Sequence, residues 1–159
     1  MADREKKVKN IVTNRKAFRD YEIIEKYEAG IELLGTEVKS IRAHKINLSD
    51  SYASVENGEV ILHNLHISPY EQSGHSDHDP LRARRLLLHK KEIKRLFGLT
   101  MQKGFTLIPL RIYLKGPYVK IELATVRGRK MYDKRDKIAK KEADRAIERA
   151  HRIQRKQNP

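Results

Sequence analysis

At Val126 the chain changes character. Before it, apolar residues recur with the alternation of β-strands; after it, residues 127–159 carry 13 Lys and Arg against 5 Asp and Glu, with almost no large apolar side chain. A segment of that composition buries too little apolar surface to offset the entropy of ordering it. The core therefore belongs to residues 1–126, a β domain with an N-terminal extension, and residues 127–159 form a basic tail. For a chain of 159 residues this leaves one domain and an appendage.

The excess charge narrows the class of partner. The tail contributes +8 of a total of +14, and a pI near 10.0 selects polyanions, nucleic acid first. No run approaches the ~20 apolar residues of a spanning helix. The absence of cysteine excludes disulfides, thiolate metal sites and cysteine nucleophiles. Met1-Ala-Asp-Arg-Glu-Lys-Lys-Val8 lacks the apolar stretch of a secretory signal. A cytoplasmic location and a monomer are expected.

The body reads as mainly β. Tyr21–Tyr27, Ile31–Ile41 and Tyr52–Ile67 are rich in β-branched and aromatic residues and are broken by Gly30, Gly35 and Asn57-Gly58. Asn57-Gly58 suits a two-residue hairpin turn, because both central positions need positive φ. A second hairpin is expected at Lys115-Gly116-Pro117, between Phe105–Leu114 and Tyr118–Val126. Leu86, Leu87, Ile93, Leu96, Phe97 and Met101 recur at intervals near three and four, which predicts a helix between the hairpins. Asn47 and Ser49 are expected to cap a short helical turn. With no βαβ repeat, these elements suit a closed β-barrel of oligonucleotide-binding type with flanking helices.

In the tail, Ala139, Ala143, Ala146, Ile147, Ala150 and Ile153 make a helical stripe, and Asp133 with Lys137, Asp136 with Lys140 and Glu148 with Arg152 are spaced four apart with the acid first. An alanine stripe contributes little docking energy, and isolated helices are marginal in water. The tail is expected to be disordered when free and helical when bound. From Asp133 to Lys156 it would reach roughly 36 Å at ~1.5 Å per residue.

Candidate chemistry divides into acids with imidazoles, and cations with aromatics. His75-Ser-Asp77-His78-Asp79, with His63 and His66, has metal-ligand chemistry, but Ser73-Gly74 and Asp79-Pro80 mark a polar connection, and no metal or cofactor is expected. His63 and His66, three apart, would point to opposite faces of a strand. Phosphate-cradling glycine runs and nucleophile elbows are absent, so no catalysis is expected. Arg82, Arg84, Arg85, Lys90, Lys91, Lys94 and Arg95, with Lys39, Arg42 and Lys45, offer cations to phosphates. Tyr21, Tyr27, Tyr52, Tyr70, Tyr113, Tyr118 and Tyr132 offer rings to unpaired bases, most of them being core. Glu28, ahead of Ala29-Gly30, either accepts base hydrogen bonds or caps a turn.

Six blocks in order, Asn14-Arg-Lys-Ala17, Glu28-Ala-Gly-Ile-Glu-Leu-Leu-Gly-Thr-Glu-Val-Lys-Ser40, Asn47-Leu-Ser-Asp-Ser-Tyr52, His66-Ile-Ser-Pro-Tyr70, Arg84-Arg-Leu-Leu-Leu88 and Tyr132-Asp-Lys-Arg135, resemble the SsrA-binding protein (small protein B) family of bacterial trans-translation. The resemblance runs from about Asn10 to the C-terminus. It implies an oligonucleotide-binding-type barrel with a flexible basic tail. It also implies a non-enzymatic adaptor that binds the tRNA-like part of transfer-messenger RNA and brings it to stalled ribosomes. RNA binding is implied for Glu28, with Lys39, Arg42 and Asn47 as further candidates. Gly128, Arg129, Lys130, Tyr132, Asp133, Lys134 and Arg135 are implied to enter the decoding centre and the empty message channel of the small subunit. Arg19, His44 and Asp77 depart from the residues more usual at their positions.

Two other readings differ in what they predict. A general ribosomal protein would be present on all ribosomes, and a nuclease using His75, Asp77 and His78 would be sensitive to chelator.

Overall fold

The structure is a computed structural model that describes residues 7–70, 77–128 and 141–153. It divides into two units, Met1–Gly128 and Arg129–Pro159. In chain order the first unit contains β1 (Val8–Thr13), α1 (Arg15–Asp20), β2 (Tyr21–Ile31), α2 (Gly35–Arg42), β3 (Ile46–Asn47), β4 (Tyr52–Glu56), β5 (Glu59–His63), β6 (His66–Ile67), β7 (Arg84–Leu87), α3 (Lys90–Thr100), β8 (Phe105–Lys115) and β9 (Tyr118–Gly128).

The sheet order β1-β8-β4-β5-β7-β2-β9, with β8 also paired to β9, closes β8, β4, β5, β7, β2 and β9 into a ring, as expected of an oligonucleotide-binding-type fold. Every strand pairing among the described residues is antiparallel, and β3 with β6 forms a separate two-stranded ribbon. Both expected hairpins are present. Asn57 and Gly58 have φ of 51° and 76° between β4 and β5, and Gly116 has φ of 60° between β8 and β9. The core inside the ring is aliphatic, with Ile41, Val60, Leu62, Leu65, Leu96, Leu107, Ile112, Ile121 and Leu123 all buried. A smaller cluster of Ala17, Ile108, Leu110, Ala124 and Val126 lies under α1.

Several local expectations are corrected. The stretch Ile31–Ile41 is a strand only to Ile31, and Gly35–Arg42 is helical. Its N-terminus is closed by Glu37, whose Oε1 accepts from the Leu34 N–H at 2.8 Å, half of a capping box without the usual Ser or Thr. Leu86 and Leu87 are not helical. They belong to β7, whose side chains alternate inward and outward, and α3 starts at Lys90. Asn47 and Ser49 do not open a helix: the Asn47 Oδ1 accepts from the Ser49 N–H at 2.9 Å and from its hydroxyl at 2.6 Å, an Asx turn. His63 and His66 lie on two different strands, separated by Asn64 at φ 59°.

Two further elements had no counterpart in the sequence reading. β1 pairs with the second half of β8, and α1 is capped by Asn14. The Asn14 side chain is buried, accepts from the Ala17 N–H at 3.2 Å, and donates to the carbonyls of Pro109 at 3.1 Å and Leu48 at 3.4 Å. One amide thus closes a helix and ties it to two distant segments.

In the second unit residues 141–153 are helical and exposed along their whole length, with Ile147 and Ile153 on the surface. Among the described residues no helix is long and apolar enough to cross a membrane.

Candidate nucleic-acid interface

The cations named from sequence separate by burial. Arg84 is fully buried, and with Arg82 it surrounds the equally buried Glu37. Arg84 donates from Nε to Glu37 and from its two terminal nitrogens to the carbonyls of Leu65 at 2.7 Å and Pro80 at 3.2 Å. Arg82 reaches Glu37 at 2.5 Å and the Glu32 carbonyl at 3.3 Å. Arg84 is therefore unavailable to phosphate: its place on β7 points it into the molecule. Arg85, on the outer face, bridges Glu32 at 2.9 Å and Glu59 at 3.1 Å, and Arg95 pairs with Glu25. Four of the seven expected phosphate ligands near α3 are engaged with carboxylates. Lys90, Lys91 and Lys94 remain exposed on α3.

Glu28 occupies an exposed position of β2, opposite Glu122 of β9. Its carboxylate accepts from the Tyr113 hydroxyl and from the Lys115 ammonium at 3.1 and 3.4 Å. The Tyr113 hydrogen bond, followed by Lys115, holds the Glu28 carboxyl below its ordinary value against the opposing effect of burial. Burial, then Glu28, pushes the Tyr113 phenol well above its own. At neutral pH the arrangement is thus an ionised carboxylate fixed by a neutral phenol and a lysine. An adjoining cleft of about 250 Å³ is lined by Glu28, Lys115, Tyr118 and Lys120. Two ammonium groups beside a carboxylate and a phenol ring can bind phosphate, accept from a base or ribose hydroxyl, and stack.

Gly30, two residues on, faces Leu87 across the β2–β7 pair. A Cβ at Gly30 would meet the Leu87 Cβ at 3.2 Å, so glycine lets the two strands close beside Glu28. Leu87 itself is half exposed.

Lys39 and Arg42 stand near the C-terminal end of α2, rather than after a strand. The Lys39 ammonium lies 5.2 Å from the centre of the Tyr70 ring, a cation–π contact. Asn47 is exposed, with its carbonyl oxygen used in the Asx turn. The four expected residues have different partners: Glu28 contacts β8, Lys39 contacts Tyr70 and shares α2 with Arg42, and Asn47 contacts Ser49. Tyr118 was among the tyrosines read from sequence as rings for unpaired bases, whereas Lys115 and Lys120 were missed as site residues, although they flank the second hairpin. The pairing of β9 with β2 on one side and with β8 on the other places them beside Glu28.

A third feature lies where the barrel chain ends. Tyr21 of β2 pairs with Gly128, the last residue of β9 and exposed. Tyr21 also lines a cavity of about 320 Å³ with Asn14, Lys16, Asp50, Ser51 and Tyr52. Tyr52 is 43% exposed and stacks on His63 with ring centres 5.3 Å apart. Lys16 bridges Asp50 at 3.5 Å. Arg129, Lys130, Tyr132, Asp133, Lys134 and Arg135 lie outside the described residues, as does His75.

The remaining acid–imidazole candidate is structural where it is described. The His78 side chain has no exposure; its Nε2 lies 2.9 Å from the Ile67 carbonyl and its Nδ1 2.9 Å from the Thr36 hydroxyl in α2. Among the described residues no three His, Asp or Glu side chains are placed to hold a metal ion.

Comparison with known proteins agrees with the fold and the blocks. The profile of the family described as SmpB protein matches residues 11–153. The SsrA-binding protein of Carboxydothermus hydrogenoformans is 60% identical over 144 residues, covering 91% of this chain and 97% of the relative. That of Anoxybacillus flavithermus is 56% identical over 148 residues, covering 93% and 96%. A solved structure described as "tmRNA-SmpB: a journey to the center of the bacterial ribosome" superposes with a TM-score of 0.65 at 52% identity, covering 76% of this chain and 85% of that one.

Proposed function

The chain belongs to the SmpB protein family, and from that membership we propose that it is an RNA-binding adaptor of trans-translation. It binds transfer-messenger RNA through its barrel and takes it to stalled ribosomes, and it makes and breaks no covalent bond. The observation that carries the barrel's part is the Glu28 cleft, where Tyr113 and Lys115 hold an ionised carboxylate between lysines on an otherwise hydrogen-bonded sheet face. This cleft grips the tRNA-like part of the RNA, and Lys39, Arg42 and Asn47 supply further contacts from α2 and the end of β3.

The basic tail has the second role. Gly128 ends β9 and starts the departure from the barrel. Arg129, Lys130, Lys134 and Arg135 neutralise phosphates, Tyr132 stacks on a base without reading its identity, and Asp133 orders the segment beside them. These residues enter the decoding centre and the empty message channel, and the 141–153 helix, which opens readily in the free protein, is held folded there. Family membership and the solved ribosomal complex of a relative support this reading.

Truncation after Gly128 tests the division of labour, because β9 is then left whole. Binding to the tRNA-like RNA, measured by filter retention, should stay within a factor of about two, while peptide tagging on stalled ribosomes should be lost. Loss of both together overturns the reading.

A further inference from the structure

We propose that the groove between α3 and the tip of the β4–β5 hairpin is a second RNA site, which takes one unpaired nucleobase of a single strand against the Phe97 ring. It lies apart from the Glu28 cleft and does not depend on the function assigned there. The groove measures about 320 Å³ and is lined by Val55, Asn57, Gly58, Ile93, Lys94 and Phe97. Phe97 is 51% exposed and Met101, one turn on, is 72% exposed. Lys90, Lys94, Phe97 and Met101 follow at spacings of four, three and four, so they run along one side of the helix.

The local charge has one sign. Glu56 and Glu59 flank the hairpin tip, but their contacts are on the opposite face of the strands from Val55: Glu56 with Ser54 at 2.9 Å and His63 at 3.1 Å, and Glu59 with Arg85 at 3.1 Å. On α3, Glu92 accepts from the His89 N–H at 3.1 Å, and Arg95 turns away to Glu25. Lys94 is left in the wall of an apolar slot, with Lys90 one turn before it on the same side of α3.

Geometry separates the possible occupants. An amphipathic helix needs anchors over several turns, more than six residues can line. An added strand needs an open sheet edge, yet β4 is paired to β5 and β8, and β5 to β4 and β7. A single planar apolar group carried on an anionic backbone fits both the aromatic wall and the lysines, with the Asn57 amide at hand for its edge. That is a nucleobase, recognised by stacking rather than by sequence.

The chain contains no tryptophan, so Phe97→Trp places a lone indole in the groove of the full-length protein. A mixed-sequence oligoribonucleotide of about ten nucleotides should quench its fluorescence saturably. Adding Lys94→Glu to the reporter should weaken the quenching-derived affinity at least fivefold, a change that RNA held elsewhere on the basic chain would not produce. Met101→Trp serves as a second reporter should Phe97→Trp fail to fold. Absence of quenching, quenching insensitive to Lys94→Glu, or quenching only by an acidic phenylalanine-bearing peptide would each overturn the proposal.

Discussion

Arg84 donates its Nε–H to Glu37 with both side chains fully sealed from water, joining β7 to the first turn of α2. The pair is complete on each side, since Glu37 also accepts from Arg82 and the Leu34 N–H while Arg84 also donates to two carbonyls. Buried charges of this kind contribute little compared with an apolar pair, but removing one partner strands the other. Glu37→Ala should therefore destabilise the protein by about 3–5 kcal/mol. Urea unfolding followed by circular dichroism measures it, and a loss under 1 kcal/mol would contradict the burial.

Acid should weaken the same connections. Arg95 and the Tyr27 hydroxyl lower the Glu25 carboxyl to about 2 from an ordinary 4.5. Glu37 is also lowered: its burial acts upward, but Arg82, the Leu34 N–H and Arg84 outweigh it. A carboxyl depressed on folding stabilises the native state fully above its unfolded value and loses that contribution as the pH falls toward its folded value. The melting temperature should thus be steady above about pH 5 and decline from about 4.5 toward 2. Arg95→Ala should shallow the decline. An unchanged profile in that variant would show that Glu25 is not the group responsible.

What the sequence disclosed follows from the range of each interaction. Asn57-Gly58 and Gly116 announce their hairpins because positive φ is a local demand. α2 was hidden, since its β-branched Thr36, Val38 and Ile41 read equally well as strand and its N-terminus is closed by Glu37 rather than by Ser or Thr. β7 inverts the usual pattern by pointing an arginine inward, which Glu37, 47 residues earlier, and the carbonyls of Leu65 and Pro80 make tolerable. The Glu28 block was legible as a motif, whereas Lys115 and Lys120 join it through strand pairing across 85 or more residues. Such partners leave no mark at short range.

Asn14→Ala should remove the cap of α1 and leave the Leu48 and Pro109 carbonyls without its amide. The expected loss is about 1–3 kcal/mol. Asn14→Asp should retain the cap to Ala17 but present an acceptor to both carbonyls, and should melt no higher than the alanine variant. Thermal melts of the three proteins decide it.

On the role proposed for the Glu28 cleft, the carboxylate would act on RNA partly through the lysine it holds. Lys115→Ala should lower the salt slope of binding to the tRNA-like RNA by about 0.7–0.9, the share of one phosphate contact. Glu28→Ala should weaken binding about tenfold, and the double variant should lose less than the two single losses combined, because neighbours sharing one interaction are non-additive. Strict additivity would mean that Glu28 and Lys115 contact the RNA independently.

The tail supplies the last test. Residues 141–153 form a helix without a buried side chain, and thirteen residues are few for a helix to persist in water without packing, because nucleation is costly. Its amides should exchange nearly as fast in the free protein as in an isolated peptide, while those of Leu107, Ile121 and Leu123, buried in the ring of strands, exchange only on global opening. On the stalled ribosome the 141–153 amides should slow by at least tenfold, since phosphates would then lie beside Lys141, Arg145, Arg149 and Arg152 and stabilise the folded turns. Protection in the free chain equal to that of the sheet would mean that the helix has an intramolecular partner, and coupled folding on the ribosome would no longer be needed to explain the tail.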